Sequence, residues 1–245
     1  MLNWFKKKRE VFQTVSPLEI DIHSHLLPGL DDGVKTFEEA EEIIVQFKRM
    51  GYKKIITTPH VMSDAYRNTA DRILDRLAEL KNHLTLKGIE IEIEAAAEYY
   101  LDEHLFKLIE TNQKLLTFGR NYLLFETNFL TEPLNLKEFI FLATTKGYSV
   151  VLAHPERYLY LQNNAEKIED LIDRNVLFQI NISSITGYYS KQVQQLATKL
   201  IERKWVHFLG SDCHHLNHVS LMEQATKMRH YRQALSLPLL NNTLS

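Results

Sequence analysis

Two histidines and two aspartates lie close together near the start of the chain. The stretch EIDIHSHLLPGLDDG contains His23 and His25, followed by Asp31 and Asp32. Alternate residues of an extended segment face the same side, so the two imidazole rings are expected to point in one direction. Surface histidines, a buried structural pair and a metal site are all compatible with this stretch taken alone.

Residues that could bind a metal ion recur at the ends of other β-rich segments. They are His60, Glu98, Glu126, His154, Asp212 and His214. Imidazole and carboxylate donors without thiolate suit manganese, iron or zinc, and they argue against a cysteine-type structural zinc site. Carboxylates gathered at one place repel each other and need cations nearby. Taken together, these residues favour a metal site over isolated structural histidines.

Short β-rich segments alternate with helical patterns along the whole chain. The predicted strands are 18–22, 53–58, 91–96, 122–126, 148–153, 176–182 and 206–210. The predicted helices are 36–51, 68–84, 135–147, 165–175, 191–204 and about 219–232. Such alternation predicts parallel strands with right-handed crossovers in one α/β domain. Seven strands of this kind favour a barrel over an open sheet.

In a β/α barrel, chemistry takes place where the carboxyl ends of the strands meet. Six of the seven predicted strands end in a histidine or an acid, and the remaining one offers Asn181 as a hydrogen-bonding substitute. If the barrel closes, its first and last strands become neighbours, and their four ligands surround one point. Glu98 or Glu126 could then bridge to a second ion.

The third predicted strand, IEIEAAAE, contains an unexpected pattern of acids. Strict alternation places Glu98 on the same side as Glu92 and Glu94. A bulge, a late twist or a polar barrel interior would each account for this placement.

The composition excludes several classes of protein. A formal net charge of −2 argues against binding nucleic acid through bulk electrostatics. Cys213 is the one cysteine, so there is no internal disulfide, and a cytosolic setting is the simplest expectation. A cysteine-based phosphatase needs Cys-x5-Arg, but Val219 stands at the arginine position. No apolar run approaches the roughly 18 residues that span a bilayer.

The two ends of the chain are predicted to lie outside the main domain, 18–235. Residues 1–17 form a basic extension in which Trp4, Phe5 and Phe12 accompany three lysines and an arginine. A solvated tail or a short docking helix is favoured there over a weak contact with the inner face of a membrane. Residues 236–245 are expected to be a C-terminal tail.

A set of motifs resembles a known superfamily over nearly the whole chain. The motifs are DIHSHLLPGLDDG, TTPH, AAAEYY, LLFE, LAHPERY and GSDCHH. They are similar to those of the polymerase-and-histidinol-phosphatase (PHP) superfamily. Within it they resemble the bacterial manganese-dependent protein-tyrosine phosphatases of capsular and exopolysaccharide biosynthesis. The resemblance implies a distorted (β/α)7 barrel that binds two or three divalent ions, with manganese first and iron or zinc as alternatives.

The resemblance also implies a role for each site residue. One ion would be held by His23, His25, Glu98 and Asp212; a second by Glu98, Glu126 and His154; a third by Asp32, His60 and His214. Asp21 would support these ligands from behind. Arg157 of HPERY would bind the phosphoryl group, and His60 is a further catalytic candidate.

One position departs from the family pattern. An arginine usually follows the aspartate of the SDxH motif by seven residues, and here that position is Val219, with His218 beside it. The grip on the substrate phosphate is therefore in question, and Arg67 is a candidate to compensate.

The implied activity is hydrolysis of phosphotyrosine on a membrane-associated tyrosine kinase that controls polysaccharide export, in the cytoplasm or at the inner face of the membrane. Histidinol-phosphate phosphatase, or another small-molecule phosphoesterase of the superfamily, is the alternative. A nuclease module would need a basic surface that the charge balance does not provide. A non-catalytic scaffold should have lost some ligands, whereas all nine positions are filled by suitable residue types.

Overall fold

The computed structural model describes residues 18–244, in which parallel strands curl around an apolar interior and helices cover the outside. The strands are β1 (Ile20–Asp21), β2 (Lys54–Thr57), β3 (His60–Val61), β4 (Glu92–Ala95), β5 (Glu98–Tyr100), β6 (Tyr122–Glu126), β7 (Ser149–Ala153), β8 (Leu177–Asn181) and β9 (Phe208–Gly210). The helices are α1 (Phe37–Arg49), α2 (Ala70–Leu86), α3 (Glu103–Glu110), α4 (Leu136–Thr145), α5 (Ala165–Asp173), α6 (Lys191–Glu202), α7 (Leu216–Thr226) and α8 (Arg229–Leu235).

The nine strand segments correspond to the seven predicted strands. β2 and β3 are two halves of one barrel strand, and β4 and β5 are two halves of the next. Pro59 lies between β2 and β3, where its missing N–H interrupts the ladder. The register is the same on both sides of the gap, since Ile56 pairs with Glu94 and His60 pairs with Glu98. No bulge therefore shifts Glu98.

The first and last strands meet at the carboxyl end of the barrel. Ser24 and Cys213 form a parallel bridge. The amide of Asp212 donates to the carbonyl of His23 at 2.7 Å, and the amide of His25 donates to the carbonyl of Cys213 at 2.9 Å. The strand order in between follows the chain. The prediction of a distorted (β/α)7 barrel is confirmed.

Apolar side chains form two layers, one inside the barrel and one under the helices. The interior layer includes Ile22, Ile56, Leu124 and Phe208. The outer layer receives one face of each amphipathic helix. Burying one large aliphatic or aromatic side chain contributes about 1.5–3 kcal/mol, so these two layers hold the strand ends in place.

We call the amino-terminal end of the barrel the base. The acids that alternate in the third strand, Glu92 and Glu94, lie on the inner side of the barrel at this end. The ammonium of Lys54 lies 2.9 Å from a carboxylate oxygen of Glu92 and 2.9 Å from one of Glu94. Both acids are partly exposed there, whereas Glu98 at the other end is fully buried. Of the three explanations that the sequence left open, the polar interior at the base is the one observed.

The segment after residue 235 packs against the base. Its 3-10 turn, Leu240–Thr243, contains the fully buried Asn241. The Asn241 amide accepts from the backbone N–H of Leu209 and donates to the carbonyls of Leu209 and Ile20, all at 2.9–3.0 Å. Leu244 joins the interior layer. Residues 236–244, expected as a tail, thus close the base in the structure.

Two helical features differ from the sequence prediction. α3 was not predicted, because it has only two turns and buries only Leu105 and Ile109. The predicted helix at 219–232 is two helices, α7 and α8, separated by Lys227 and Met228. The basic extension 1–17 lies outside the described residues. Within 18–244, no helix is long and apolar enough to cross a membrane.

Candidate metal centre

The nine predicted metal ligands come together at the carboxyl end of the barrel, which we call the mouth. They form four overlapping groups whose donor atoms lie within 4.8 Å of one another. The groups are His25–Asp32–His60–His214, His23–His154–Asp212, His23–His25–Glu98 and His60–Glu98–Glu126. Each of the nine residues belongs to at least one group, so residues nearly 200 positions apart share one site.

Glu98 lies at the centre of the cluster. One carboxylate oxygen is 3.1 Å from Nε2 of His23 and 3.2 Å from Nδ1 of His60. The other oxygen is 3.0 Å from Nε2 of His154. The two oxygens of the buried Glu98 face different histidines, and Glu98 belongs to two of the four groups.

Asp212 and His154 reach the cluster from strained backbone. Their φ angles are +49° and +36°, in the left-handed region that side-chain-bearing residues seldom adopt. Such conformations cost of order 1–3 kcal/mol each and persist where surrounding structure enforces them. Asp212 turns one oxygen to within 3.5 Å of Nε2 of both His23 and His25.

The opposite side of the cluster opens to solvent. The Asp32 side chain is 54% exposed, and its carboxylate lies 3.4 Å from Nε2 of His214 and 3.6 Å from Nε2 of His60. A ligand could therefore enter beside Asp32.

The contacts within the cluster bear on the pair Glu126 and His154. The carboxylate of Glu126 lies 3.1 Å from Nδ1 of His60, and His154 groups with His23 and Asp212. Because the four groups overlap and share residues, the allocation of ligands to ions that the resemblance implies stays a prediction.

Two buried groups orient the first pair of histidines. Nδ1–H of His25 donates to Asp31 at 2.7 Å, and Nδ1–H of His23 donates to Gln179 at 2.8 Å. Each bond leaves Nε2 free to face the cluster, as outer partners of metal-binding histidines do. No sequence pattern pointed to Gln179, and the resemblance assigned no role to Asp31.

Asp31 also holds the loop that carries Asp32. It accepts the backbone N–H of Gly33 at 2.9 Å and that of His60 at 3.0 Å. A Cβ at Gly33 would lie 2.2 Å from the carbonyl oxygen of His25, so only glycine fits.

Asn181 and Asp21 support the cluster from behind. The Asn181 amide donates to Asp212 at 2.6 Å and accepts from the Gln179 amide at 2.9 Å. Asp21 accepts both the backbone N–H and the hydroxyl of Ser211, each at 2.8 Å. Burial raises the pKa of Asp21 to about 7, although the Ser211 bonds oppose this shift. Asp21 therefore anchors the residue before Asp212.

The charges of the cluster are strongly coupled. Burial alone would lower the pKa of His23, but the Glu98 and Asp212 carboxylates raise it to about 9. The histidines in turn hold the pKa values of Glu98 and Asp212 well below their usual range, against the effect of burial. Neutral imidazoles and ionised carboxylates are the usual donors to a cluster of divalent ions, and the buried carboxylates here are stabilised by positive charge. The nine residues therefore fit divalent metal ions.

An open cleft of about 660 Å³ lies above the cluster, lined by Asp32, His60, Glu126, Phe129, His154, Arg157, Tyr188, Tyr189, Asp212, His214, His215 and His218. Nη1 of Arg157 donates to Asp212 at 3.1 Å, which places the guanidinium beside the ligands.

Arg67 is not among the lining residues; it is exposed and donates from Nε to the carbonyl of Ser63 at 2.6 Å. The structure therefore gives no support for Arg67 as a phosphate ligand.

The position that departs from the family pattern cannot contact a ligand in the cleft. Val219 is buried in the apolar layer under the helices. His218 does line the cleft, but burial lowers its pKa to about 4, so it is a neutral side chain and no substitute for arginine charge. Cys213 is fully buried, and burial raises the pKa of its thiol, which agrees with the exclusion of a cysteine nucleophile.

Comparisons with known proteins agree with the site. A family model described as "Capsular polysaccharide synthesis, CpsB/CapC" matches residues 19–234. The tyrosine-protein phosphatase YwqE of Bacillus subtilis is 28% identical over 197 residues, covering 80% of this chain and 78% of that protein.

Several solved structures are similar to this chain, including two phosphatases. One comes from a study of YwqE from Bacillus subtilis and CpsB from Streptococcus pneumoniae, described as "unique metal-dependent tyrosine phosphatases"; it has a TM-score of 0.81, is 26% identical, and covers 92% of this chain and 93% of the other. The other, histidinol phosphate phosphatase of Lactococcus lactis with zinc, has a TM-score of 0.52, is 12% identical, and covers 86% and 94% of the two chains. At that identity the second structure shows a shared fold alone.

Proposed function

The chain belongs to the capsular polysaccharide synthesis CpsB/CapC family, and on this premise we propose that it is a metal-dependent protein-tyrosine phosphatase. The observation that carries the proposal is the joint arrangement of nine ligands and Arg157 around one open cleft. The similarity to YwqE and to the metal-dependent tyrosine phosphatase structure supports the same activity.

The proposed cofactor is a cluster of two or three divalent ions, with manganese first and iron or zinc as alternatives. The nine ligand candidates would hold it, with Glu98 as the bridging carboxylate. When bound, such ions activate a water molecule near neutral pH and neutralise phosphate charge. The strained backbone at Asp212 and His154 supports this assignment, since such strain concentrates at functional sites.

The protein's own residues would bind and orient the phosphomonoester. Arg157 is the cation of the cleft that can donate several hydrogen bonds to phosphoryl oxygens. Hydrolysis forms a bond from phosphorus to the water oxygen and breaks the bond to the phenolic oxygen, which leaves with its electron pair and takes up a proton. A phenolate leaves readily, so little general-acid assistance is required. His60 lines the cleft as one of the nine ligand candidates, so the proton that the phenolate takes up would come from water.

The open mouth favours a protein substrate over histidinol phosphate. Three residues of the rim are substantially exposed: the side chain of Asp32 (54%), Tyr188 (49%) and Phe129 (36%). A small-molecule phosphatase would be expected to enclose its substrate. The proposed substrate is the phosphorylated tyrosine-rich tail of a membrane-associated kinase that regulates capsular or exopolysaccharide synthesis, met in the cytoplasm.

The test compares turnover of a phosphotyrosine peptide with that of histidinol phosphate, each with and without added Mn²⁺. We expect the peptide to be preferred and its turnover to require the metal. Preference for histidinol phosphate would overturn the proposed substrate class. Turnover that does not depend on the metal would overturn the proposed metal-dependent hydrolysis.

A further inference from the structure

Two aromatic rings contact the guanidinium of Arg157. Its Cζ atom lies 4.6 Å from the ring centre of Phe129 and 4.4 Å from the ring centre of Tyr189. The rings come from different parts of the chain: Phe129 follows β6, and Tyr189 precedes α6. Because contacts at these distances are attractive and gain strength when water is excluded, the pair holds the guanidinium in one place. We call Phe129 and Tyr189 the aromatic clamp.

The clamp leaves most of the hydrogen-bonding capacity of Arg157 unused. A guanidinium has five N–H donors. Within residues 18–244, the hydrogen bond that the Arg157 side chain makes is the one from Nη1 to Asp212. Its side chain remains 25% exposed and faces the cleft. The other donors are therefore available to an anionic ligand beside the metal cluster.

The two rings of the clamp are themselves tied to the cluster. The Tyr189 hydroxyl donates to the Asp212 carboxylate at 3.3 Å and accepts from the Asn181 amide at 3.3 Å. The Phe129 ring stacks on His154, with ring centres 5.7 Å apart, and on Tyr158 at 5.5 Å. The clamp thus fixes Arg157 relative to two ligand candidates, Asp212 and His154.

We propose that Phe129 and Tyr189 are positioning residues that hold Arg157 ready to receive the phosphoryl group. The proposal rests on the proposed function, since it assigns Arg157 to the substrate phosphate. Ordering a free arginine side chain costs conformational entropy. A guanidinium that is already held in place avoids much of this cost when phosphate binds, so removing a ring should weaken phosphate binding without removing the charge.

The experiment is a double-mutant cycle between Arg157 and Tyr189 in the metal-loaded protein. Binding of inorganic phosphate is measured by calorimetry, and KM and kcat for a phosphotyrosine peptide are measured in parallel. Tyr189→Leu should weaken phosphate binding about tenfold and raise KM by a similar factor, the scale of a desolvated cation–π contact. In the Arg157→Ala background, Tyr189→Leu should cause no further loss of phosphate binding.

Matched variants separate the ring from the hydroxyl. Tyr189→Phe keeps the ring and should weaken phosphate binding less than about threefold, whereas Phe129→Leu removes the other ring and should behave like Tyr189→Leu. Equal phosphate binding in Tyr189→Leu and the wild type, or an additive loss in the Arg157→Ala background, would overturn the clamp. Unchanged phosphate binding in Arg157→Ala itself would instead contradict the phosphate role of Arg157 in the proposed function.

Discussion

The mouth and the base of the barrel both contain acids on the inner side of the strands, but their charges are balanced in opposite ways. At the base, Glu92 and Glu94 share the ammonium of Lys54, and both acids reach solvent. At the mouth, Glu98 and Asp212 are buried among histidines, and Arg157 is the permanent cation beside them. At the base, the carboxylates are paired with a lysine of the protein. At the mouth, the cluster of carboxylates and histidines can bind additional positive charge.

This difference separates acids on the inner side of the strands that have a structural role, at the base, from those that have a functional role, at the mouth. Uncompensated buried carboxylates are costly, so their clustering needs a reason that the base does not need. Mutations at the two ends should consequently have different effects, the mouth on activity and the base on stability.

The largest difference is expected between matched charge deletions at the two ends. Asp212→Ala should lower kcat/KM for a phosphotyrosine peptide by more than about a hundredfold, because loss of a ligand should exceed the 10–100-fold effect of losing a ligand's support. Lys54→Met, at the base, should leave kcat/KM unchanged. Steady-state kinetics of both variants under identical metal concentrations provide the measurement. Comparable losses in the two variants would contradict the division between mouth and base.

The next effect concerns the support of His23. Gln179→Leu removes the acceptor that directs Nδ1 of His23, and we expect metal affinity to fall about 10–100-fold. Calorimetric titration with Mn²⁺ measures this affinity. A circular dichroism spectrum of the variant that matches the wild-type spectrum is the control for folding. An unchanged dissociation constant would mean that the ring is oriented without Gln179.

A smaller effect is expected from pH. In the metal-free protein the Glu98 and Asp212 carboxylates raise the pKa of His23 to about 9, against the effect of burial, so the ring holds a proton at neutral pH that a metal ion must displace. Metal affinity should therefore rise with pH, by up to about tenfold per unit for each proton released, and level off above about pH 9. Calorimetry in buffers of different ionisation enthalpy counts the protons. No proton release at pH 7 would contradict this charge balance.

The same raised pKa gives the metal-free protein a stability that depends on pH. His23 binds more protons when folded than when unfolded, so its stabilising contribution is fully present below its unfolded pKa of 6.5. That contribution is lost as pH rises from there through about 9. Urea unfolding of chelator-treated protein should show this loss, and metal-loaded protein should not.

The smallest effect on activity is expected at the base. Asn241→Ala removes three hydrogen bonds that pin the C-terminal segment to Leu209 and Ile20. Leaving buried backbone groups unsatisfied costs about 1–3 kcal/mol, so the urea midpoint should fall while kcat/KM of the folded protein stays the same. A loss of activity without a loss of stability would show that the base influences the mouth.

The sequence predicted the barrel and the ligand set because both depend on local pattern. The seven strands follow from apolar periodicity, and eight of the ligand candidates stand at or shortly after a strand end, with Asp32 on the loop after the first strand. Gln179, Phe129 and Tyr189 were missed because their roles depend on contacts between segments distant in sequence, such as the Gln179 bond to His23. The contact of Glu126 with His60 was also beyond the sequence, since it depends on how far the barrel curls.

The central claim is that the mouth hydrolyses phosphotyrosine through a divalent cluster held by the nine ligands. Its most direct test is to strip the protein with a chelator, titrate Mn²⁺ back, and follow bound metal and phosphotyrosine-peptide turnover in the same samples. We predict that turnover is lost on stripping and returns in step with the binding of two or three ions per chain, and that Asp212→Ala recovers neither. Full turnover by the stripped protein would contradict the account.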